Sequence, residues 1–257
     1  MPRYFLEVAY KGTAYAGFQI QENANTIQAE VEKGLLVYFR VPVVLTGSSR
    51  TDAGVHAFQN FFHFDAKFQI EATAIYKAIY HLNAILPLDI VIKDLKEVKD
   101  AAHCRFDAFS RSYVYSIYNH KNPFLFDNAY YYPYPLNLAA LHDAALLLLA
   151  HTEYRSFAKK NTQVFTHKCN ILESYWVLKD DVLTYNVTGN RFLRGMVRGL
   201  VGTMLLVGKG KISIADFKCI LESNDSAKTD FSAPAKGLTL LNVKFPLVIL
   251  IDPINLF

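Results

Sequence analysis

The tightest constraint on this chain is the stretch Thr46-Gly47-Ser48-Ser49-Arg50-Thr51-Asp52-Ala53-Gly54-Val55-His56-Ala57. Small residues, one cation and one carboxylate lie between two β-prone runs. A short apolar strand over Val41–Leu45 is expected to enter it, and an aromatic-rich strand over Phe58–Phe64 to leave it. Gly47 and Gly54 give the backbone angles that sharp turns need at both ends. The hairpin presents Asp52 on a tight turn between strands, pointing away from the sheet. Two readings of that carboxylate stand side by side. It can bond its own backbone as turn aspartates do, which the spacing alone favours. It can also serve as a nucleophile or general base, held on a rigid scaffold two residues from Arg50.

The flanking sequence alternates between the periods of strand and helix. Arg3–Tyr10 places Tyr4, Leu6, Val8 and Tyr10 on one side of a strand. Residues 26–39 read as an amphipathic helix, with Asn25 and Gln28 as its capping pair. A second helix covers 71–86 and stops at Pro87, and a strand follows over Val91–Val98. A new strand system begins after residues 100–103, so the domains divide there, into 1–103 and 104–257. Its first strand covers 111–119, with Tyr113, Tyr115 and Ile117 on one face. Residues 120–136 read as an extended loop and Leu138–Ala150 as a helix. Two strands near 170–178 and 182–188 turn at Asp180-Asp181. Ser213 and Asp216 cap a last helix, and a closing strand runs from Leu238 to Phe245. The pattern is α+β.

The charge distribution adds a partner. Net charge is only +4, but residues 155–211 carry 10 Lys/Arg against 3 Asp/Glu, whereas residues 1–103 carry 10 against 11. A basic segment on a near-neutral chain suits a polyanion. Within it, 190–207 reads as one buried apolar helix with Arg191, Arg194 and Arg198 on a single face. Such arginines must meet a carboxylate or phosphate, because an unpaired buried charge is very unfavourable. The three cysteines, Cys104, Cys169 and Cys219, are odd in number and widely spaced, so no disulfide framework or zinc site is indicated. Strand parity puts His56 and His63 on opposite faces, which argues against a shared metal. No apolar run approaches a membrane span and no signal-peptide pattern opens the chain, so a cytoplasmic protein is expected. The tail, Leu247–Phe257, is apolar and either pads a core or covers a dimer surface.

The text GSSRTDAGVHA resembles the catalytic loop of the TruA-type tRNA pseudouridine synthases, with Ser49 where the family usually has Gly. YKGTAYAGFQIQ followed by TIQAEVE, RFDAFSRSYVYSIYN, YRSFAKK, FLRGMVRGLVG and APAKGLTL are similar to further motifs of that family, in the same order, from Tyr10 to Leu240. The resemblance implies a pseudouridine synthase fold: two α/β subdomains with mainly antiparallel sheets and an RNA-binding cleft between them. It implies isomerisation of uridine to pseudouridine at positions 38, 39 and 40 of the tRNA anticodon stem-loop, with Asp52 as catalytic nucleophile. Arg50 would take the place of the flipped nucleotide, Tyr113 would lie against the target base and Arg198 would pair with Asp52. Arg194 and Lys159, in the basic segment, are expected to contact RNA. A homodimer is implied, with no cofactor, metal or membrane. Two other classes stay open from the residues themselves: an RNA-binding protein without chemistry, and a hydrolase using Asp52 with His56 or His63.

Overall fold

A computed structural model describes residues 1–159 and 165–249. The chain divides into two compact units, one formed by Met1–Phe109 with the chain from Leu240 onward, the other by Ser110–Thr239. Secondary structure is mixed α/β, and the strand pairing is mainly antiparallel.

In the first unit, β1 (Arg3–Tyr10) runs between β3 (His56–Asp65) and β4 (Ile90–Val98), antiparallel to both. Tyr4, Leu6 and Val8 are fully buried, as their alternation requires. The helices α1 (Ile27–Phe39) and α2 (Ala72–Ile85) pack on each other, and α2 packs on β4. The cap of α1 is Thr26, whose hydroxyl accepts from Ala29 N at 3.3 Å, rather than the expected Asn25. Gln28 is drawn off instead to the carbonyl of Leu45 at 2.8 Å and to Glu32 at 2.9 Å. The apolar run before the loop is also not a strand. Pro42 lacks an amide proton and Leu45 N donates to Glu32 Oε1, so only the two residues of β2 (Thr46–Gly47) reach the ladder with β3. A register shift between Val8 and Tyr10 interrupts the β1–β3 pairing. Beyond it the two-residue period fails: Phe58, which strict alternation would put on one face with the buried Asn60, Phe62 and Phe64, is 63% exposed.

The last strand, β9 (Leu238–Lys244), returns to this unit from Leu240 on. There Val243 N donates to Gln59 Oε1 at 3.1 Å, and Phe245 meets Phe5 and Phe61 edge-on. Ile249 then packs with Phe5, Val98, Ala102 and Cys104. The start of the tail thus pads this core; residues 250–257 lie outside the described residues.

In the second unit, β8 (Val182–Gly189) pairs antiparallel with β5 (Ser110–Tyr118) on one side and β7 (Ile171–Lys179) on the other. The β7–β8 turn places Asp180 and Asp181 at φ of 50° and 60°, a left-handed pair whose twist matches that of the strands. Part of the expected 120–136 loop is ordered as β6 (Tyr130–Tyr131), parallel to the end of β5. The helices α3 (Leu138–Leu147), α4 (Met196–Gly208) and α5 (Ile214–Glu222) pack together, with α3 against β7. Ser213 and Asp216 form the expected capping box on α5.

Helix α4 starts later than its arginine spacing suggests. Gly195 precedes it at φ 73°, and Arg191 and Arg194 lie in the irregular chain before that break. Only Arg198 is helical, so the three arginines do not share a helical face. The buried surface of α4 accounts for its glycines: a Cβ at Gly202 would fall 2.3 Å from the carbonyl oxygen of Asp230. Among the described residues, no helix is long and apolar enough to cross a membrane.

The N-terminal turn after β1 is the most exacting packing point. A Cβ at Gly12 would lie 2.0 Å from the carbonyl oxygen of Val55, a backbone atom that cannot step aside. Gly12→Ala is therefore expected to lower folding stability by ~1–3 kcal/mol, read as a lower urea midpoint. An unchanged midpoint would mean that the turn and the loop shift apart freely.

Candidate active site

The loop between β2 and β3 is built almost entirely from buried hydrogen bonds. Ser48 N continues the ladder to Phe61 O at 2.8 Å, and the chain then leaves the sheet over Asn60. Asn60 is fully buried, and its amide Nδ2 donates to Ser49 O at 2.8 Å and to Tyr10 Oη at 3.1 Å. Its Oδ1 accepts from Ser48 Oγ and from Phe61 N, each at 2.9 Å. Tyr10 Oη in turn lies 2.8 Å from Thr51 Oγ1. Residues 48, 49 and 51 are thus pinned through one amide and one phenol, and each of them is buried.

The segment after β1 holds the loop from another side. Phe18 N donates to Thr51 O at 3.1 Å and Gly12 N to His56 Nδ1 at 3.0 Å. Gly17 takes φ 119° where a Cβ would come within 3.2 Å of Thr51 O. The aromatics of this segment are core rather than an open nucleotide surface. Phe18 lies flat on Phe62, with centroids 4.5 Å apart, and Tyr15 is buried with its hydroxyl donating to Asp89. Burial, and after it that bond, hold the Tyr15 phenol proton on, raising its pKa.

Asp52 and Arg50 emerge from this frame. A turn closes from Val55 N to Asp52 O at 3.1 Å, with Gly54 at φ 79° as its third residue. Asp52 is half-buried at the turn's first position, and Arg50 is exposed on the preceding stretch. The carboxylate and the guanidinium therefore sit on one loop in which Ser48, Ser49 and Thr51 are buried and hydrogen-bonded.

The second unit places the remaining candidates. Tyr113 on β5 is 9% exposed and meets Phe192 edge-to-face, with centroids 5.2 Å apart. Arg198 Nε donates to Ala233 O at 2.7 Å, and Tyr115 Oη donates to the next carbonyl, Pro234 O, at 2.8 Å. Burial raises the Tyr115 pKa, and the positive charge of Arg198 opposes that shift. A Cβ at Gly237 would fall 2.6 Å from the Tyr115 ring, so the segment 233–237 lies tight against β5. Lys159 and Arg194 come together. Lys159 N donates to Arg194 O at 3.0 Å, and the lysine's alkyl chain covers Gly195. Residues 160–164, including Lys160, lie outside the described residues.

Two polar residues escaped the sequence reading. Asn60 gave one faint signal, an asparagine inside an otherwise aromatic strand where that residue type is disfavoured. Arg111 at the head of β5 is nearly buried, with Nη1 donating to Asn190 O at 2.8 Å, and nothing in its spacing set it apart.

His63 does meet other metal-ligand types, though not His56. One ligand atom each of His63, His103 and Cys104 lie within 4.8 Å of one another. The Nδ1 lone pairs of both rings are already engaged. His63 Nδ1 accepts from Cys104 N at 3.3 Å, and His103 Nδ1 accepts from Arg105 N at 3.1 Å, which leaves the neutral rings protonated on Nε2. The Cys104 thiol donates to Thr46 O at 3.1 Å. The cluster ties the root of the loop to the 103–104 turn.

Burial, followed by the charges of His103 and Arg3, lowers the His63 pKa to about 4. A histidine depressed below its unfolded value stabilises the fold above about pH 6.5 and loses that contribution as pH falls towards 4. The melting temperature is expected to drop between pH 7 and pH 4.5, and His63→Gln to flatten that drop; parallel curves for the two proteins would refute the assignment.

Comparison with known proteins identifies the class. A family profile described as tRNA pseudouridine synthase matches residues 144–246. The chain is 41% identical over 248 residues to a tRNA pseudouridine synthase A of Porphyromonas gingivalis, covering 96% of this chain and 98% of that one. It is 38% identical over 246 residues to that of Parabacteroides distasonis, covering 96% and 97%, and 37% identical over 240 residues to that of a Staphylococcus aureus strain, covering 93% and 89%. The chain belongs to the tRNA pseudouridine synthase A family, a family of isomerases.

Proposed function

We propose that this protein isomerises uridine to pseudouridine in tRNA, at positions 38, 39 and 40 of the anticodon stem-loop, with Asp52 as the nucleophile. The observation that carries the reading is the loop itself: a half-buried carboxylate at a closed turn, with immobilised neighbours and an exposed guanidinium two residues away. The relatives' names support the substrate class.

The chemistry asks for little else. The bond from uracil N1 to the ribose C1′ breaks, the base turns, and C5 bonds to C1′. C5 loses a proton and N1 gains one, so atoms and oxidation state balance. A stacked uracil is out of reach, and extruding it costs about a few kcal/mol. Arg50, exposed next to Asp52, is the group assigned to hold the surroundings of the flipped nucleotide. A fixed carboxylate gains rate by orientation, since its approach to the sugar or ring carbon needs no search. In the second unit, Tyr113 offers a phenol face, kept upright by Phe192, for stacking on uracil. Arg198 is the assigned cation there, aimed by its bond to Ala233 O. Arg194 and Lys159, joined through their backbones, suit phosphate contacts, which position RNA without reading its bases. A homodimer acting in the cytoplasm completes the reading.

Tritium release from C5-labelled uridine in unmodified tRNA tests it. Asp52→Asn is expected to lower the rate by about a thousandfold or more while tRNA is still bound. Wild-type release by that variant would sink the nucleophile assignment, and no release by the unaltered protein would favour a binding protein without chemistry. Mapping pseudouridine in tRNA from cells with and without the protein checks the three positions.

A further inference from the structure

We propose that Asn60 is a positioning residue for the reaction: its side-chain amide, extended through the Tyr10 hydroxyl, sets the geometry of Arg50 and Asp52. The inference rests on residues 46–57 being the catalytic loop.

Four observations carry it. Asn60 is fully buried, so its amide has no water to fall back on. All four of its hydrogen-bonding positions are filled, two accepting and two donating. Three of those four bonds reach the loop directly or through one phenol: Ser48 Oγ, Ser49 O, and Thr51 Oγ1 by way of Tyr10. The residues so held bracket Arg50 on both sides and end next to Asp52. Simple strand packing at position 60 would be met by an apolar side chain, as it is at Phe62 and Phe64. A buried amide is unfavourable unless satisfied, and its full satisfaction by the loop selects one loop conformation out of many.

The donors give the proposal a signature that a merely structural residue would lack. Asn60→Asp keeps the shape but replaces the NH2 with an oxygen. When ionised, that oxygen faces the Ser49 carbonyl and cannot donate to it or to Tyr10. Burial raises the pKa of such a carboxyl, and the protonated acid regains one donor. The expected result for Asn60→Asp is a kcat about 100-fold below wild type at pH 8.5. The ratio to wild type should recover about tenfold by pH 6, with KM for tRNA within about threefold throughout. Tyr10→Phe, which preserves the ring packing, should lose about five- to tenfold in kcat.

Asp52→Asn runs in parallel. If it retains activity, the reading of the loop fails. If it is inactive while Asn60→Asp works at the wild-type rate at pH 8.5, only the role of Asn60 falls. A loss for Asn60→Asp that is the same at every pH also overturns the proposal. Should Asn60→Asp not fold, Tyr10→Phe decides alone, and a wild-type kcat for it refutes the relay.

Discussion

The carbonyl of Val55 occupies the space that a side chain at residue 12 would need, and the rest of the first unit is arranged around that approach. Once the turn after β1 lies backbone-to-backbone on the loop, Gly12 N reaches His56 and Phe18 N reaches Thr51. Phe18 can then stack on Phe62, beneath Gly47, where any Cβ would strike the ring. The loop is thereby treated as part of the core. Its three hydroxyls are bonded internally, while Asp52 is half-buried and Arg50 exposed. This is how a connection between strands acquires the stiffness of an element.

A related device holds the second unit's candidates. Adjacent carbonyls of Ala233 and Pro234 take Arg198 and the Tyr115 hydroxyl, and Gly237 lets the segment close on the tyrosine ring. The text APAKGLTL, close in sequence to no other candidate, thus supplies a carbonyl that holds the arginine. In the second unit, then, the arginine side chain bonds a backbone atom from a distant stretch of chain. Such atoms are present whatever the side chains are, so short motifs rich in glycine and proline can be as informative as the charged residue they serve.

The long strands of both units were legible from their alternation, and α5 because Ser213 and Asp216 announce it, whereas the two-residue β6 was not. The errors have local causes. Arg191, Arg194 and Arg198 obey a helical spacing, but the left-handed backbone at Gly195 breaks the helix between them, and a spacing rule does not contain φ. The run Val41–Leu45 looks like a strand, yet Glu32, on a neighbouring helix, takes the amide that a ladder would need. At the site, Asp52 and Arg50 could be singled out by their loop. Asn60 could not be given its task, because its partners at positions 10, 48, 49 and 51 converge only after folding. The meeting of His63 with His103 and Cys104 was invisible for the same reason: strand parity compares residues on one strand and says nothing of what a later turn brings alongside.

The return of the chain from Leu240 to the first unit has a bearing on synthesis. Residues 1–109 leave the ribosome long before 240–249, yet Phe5, Phe61 and Gln59 find contacts in Phe245 and Val243. Until residues 240–249 have been made, the half that bears Asp52 has an unfinished edge and an uncovered aromatic patch. Sequence-distant closure of this kind is slow to form and leaves sticky intermediates. A chain cut short before residue 240 would keep its carboxylate loop while lacking the strand that returns to this unit.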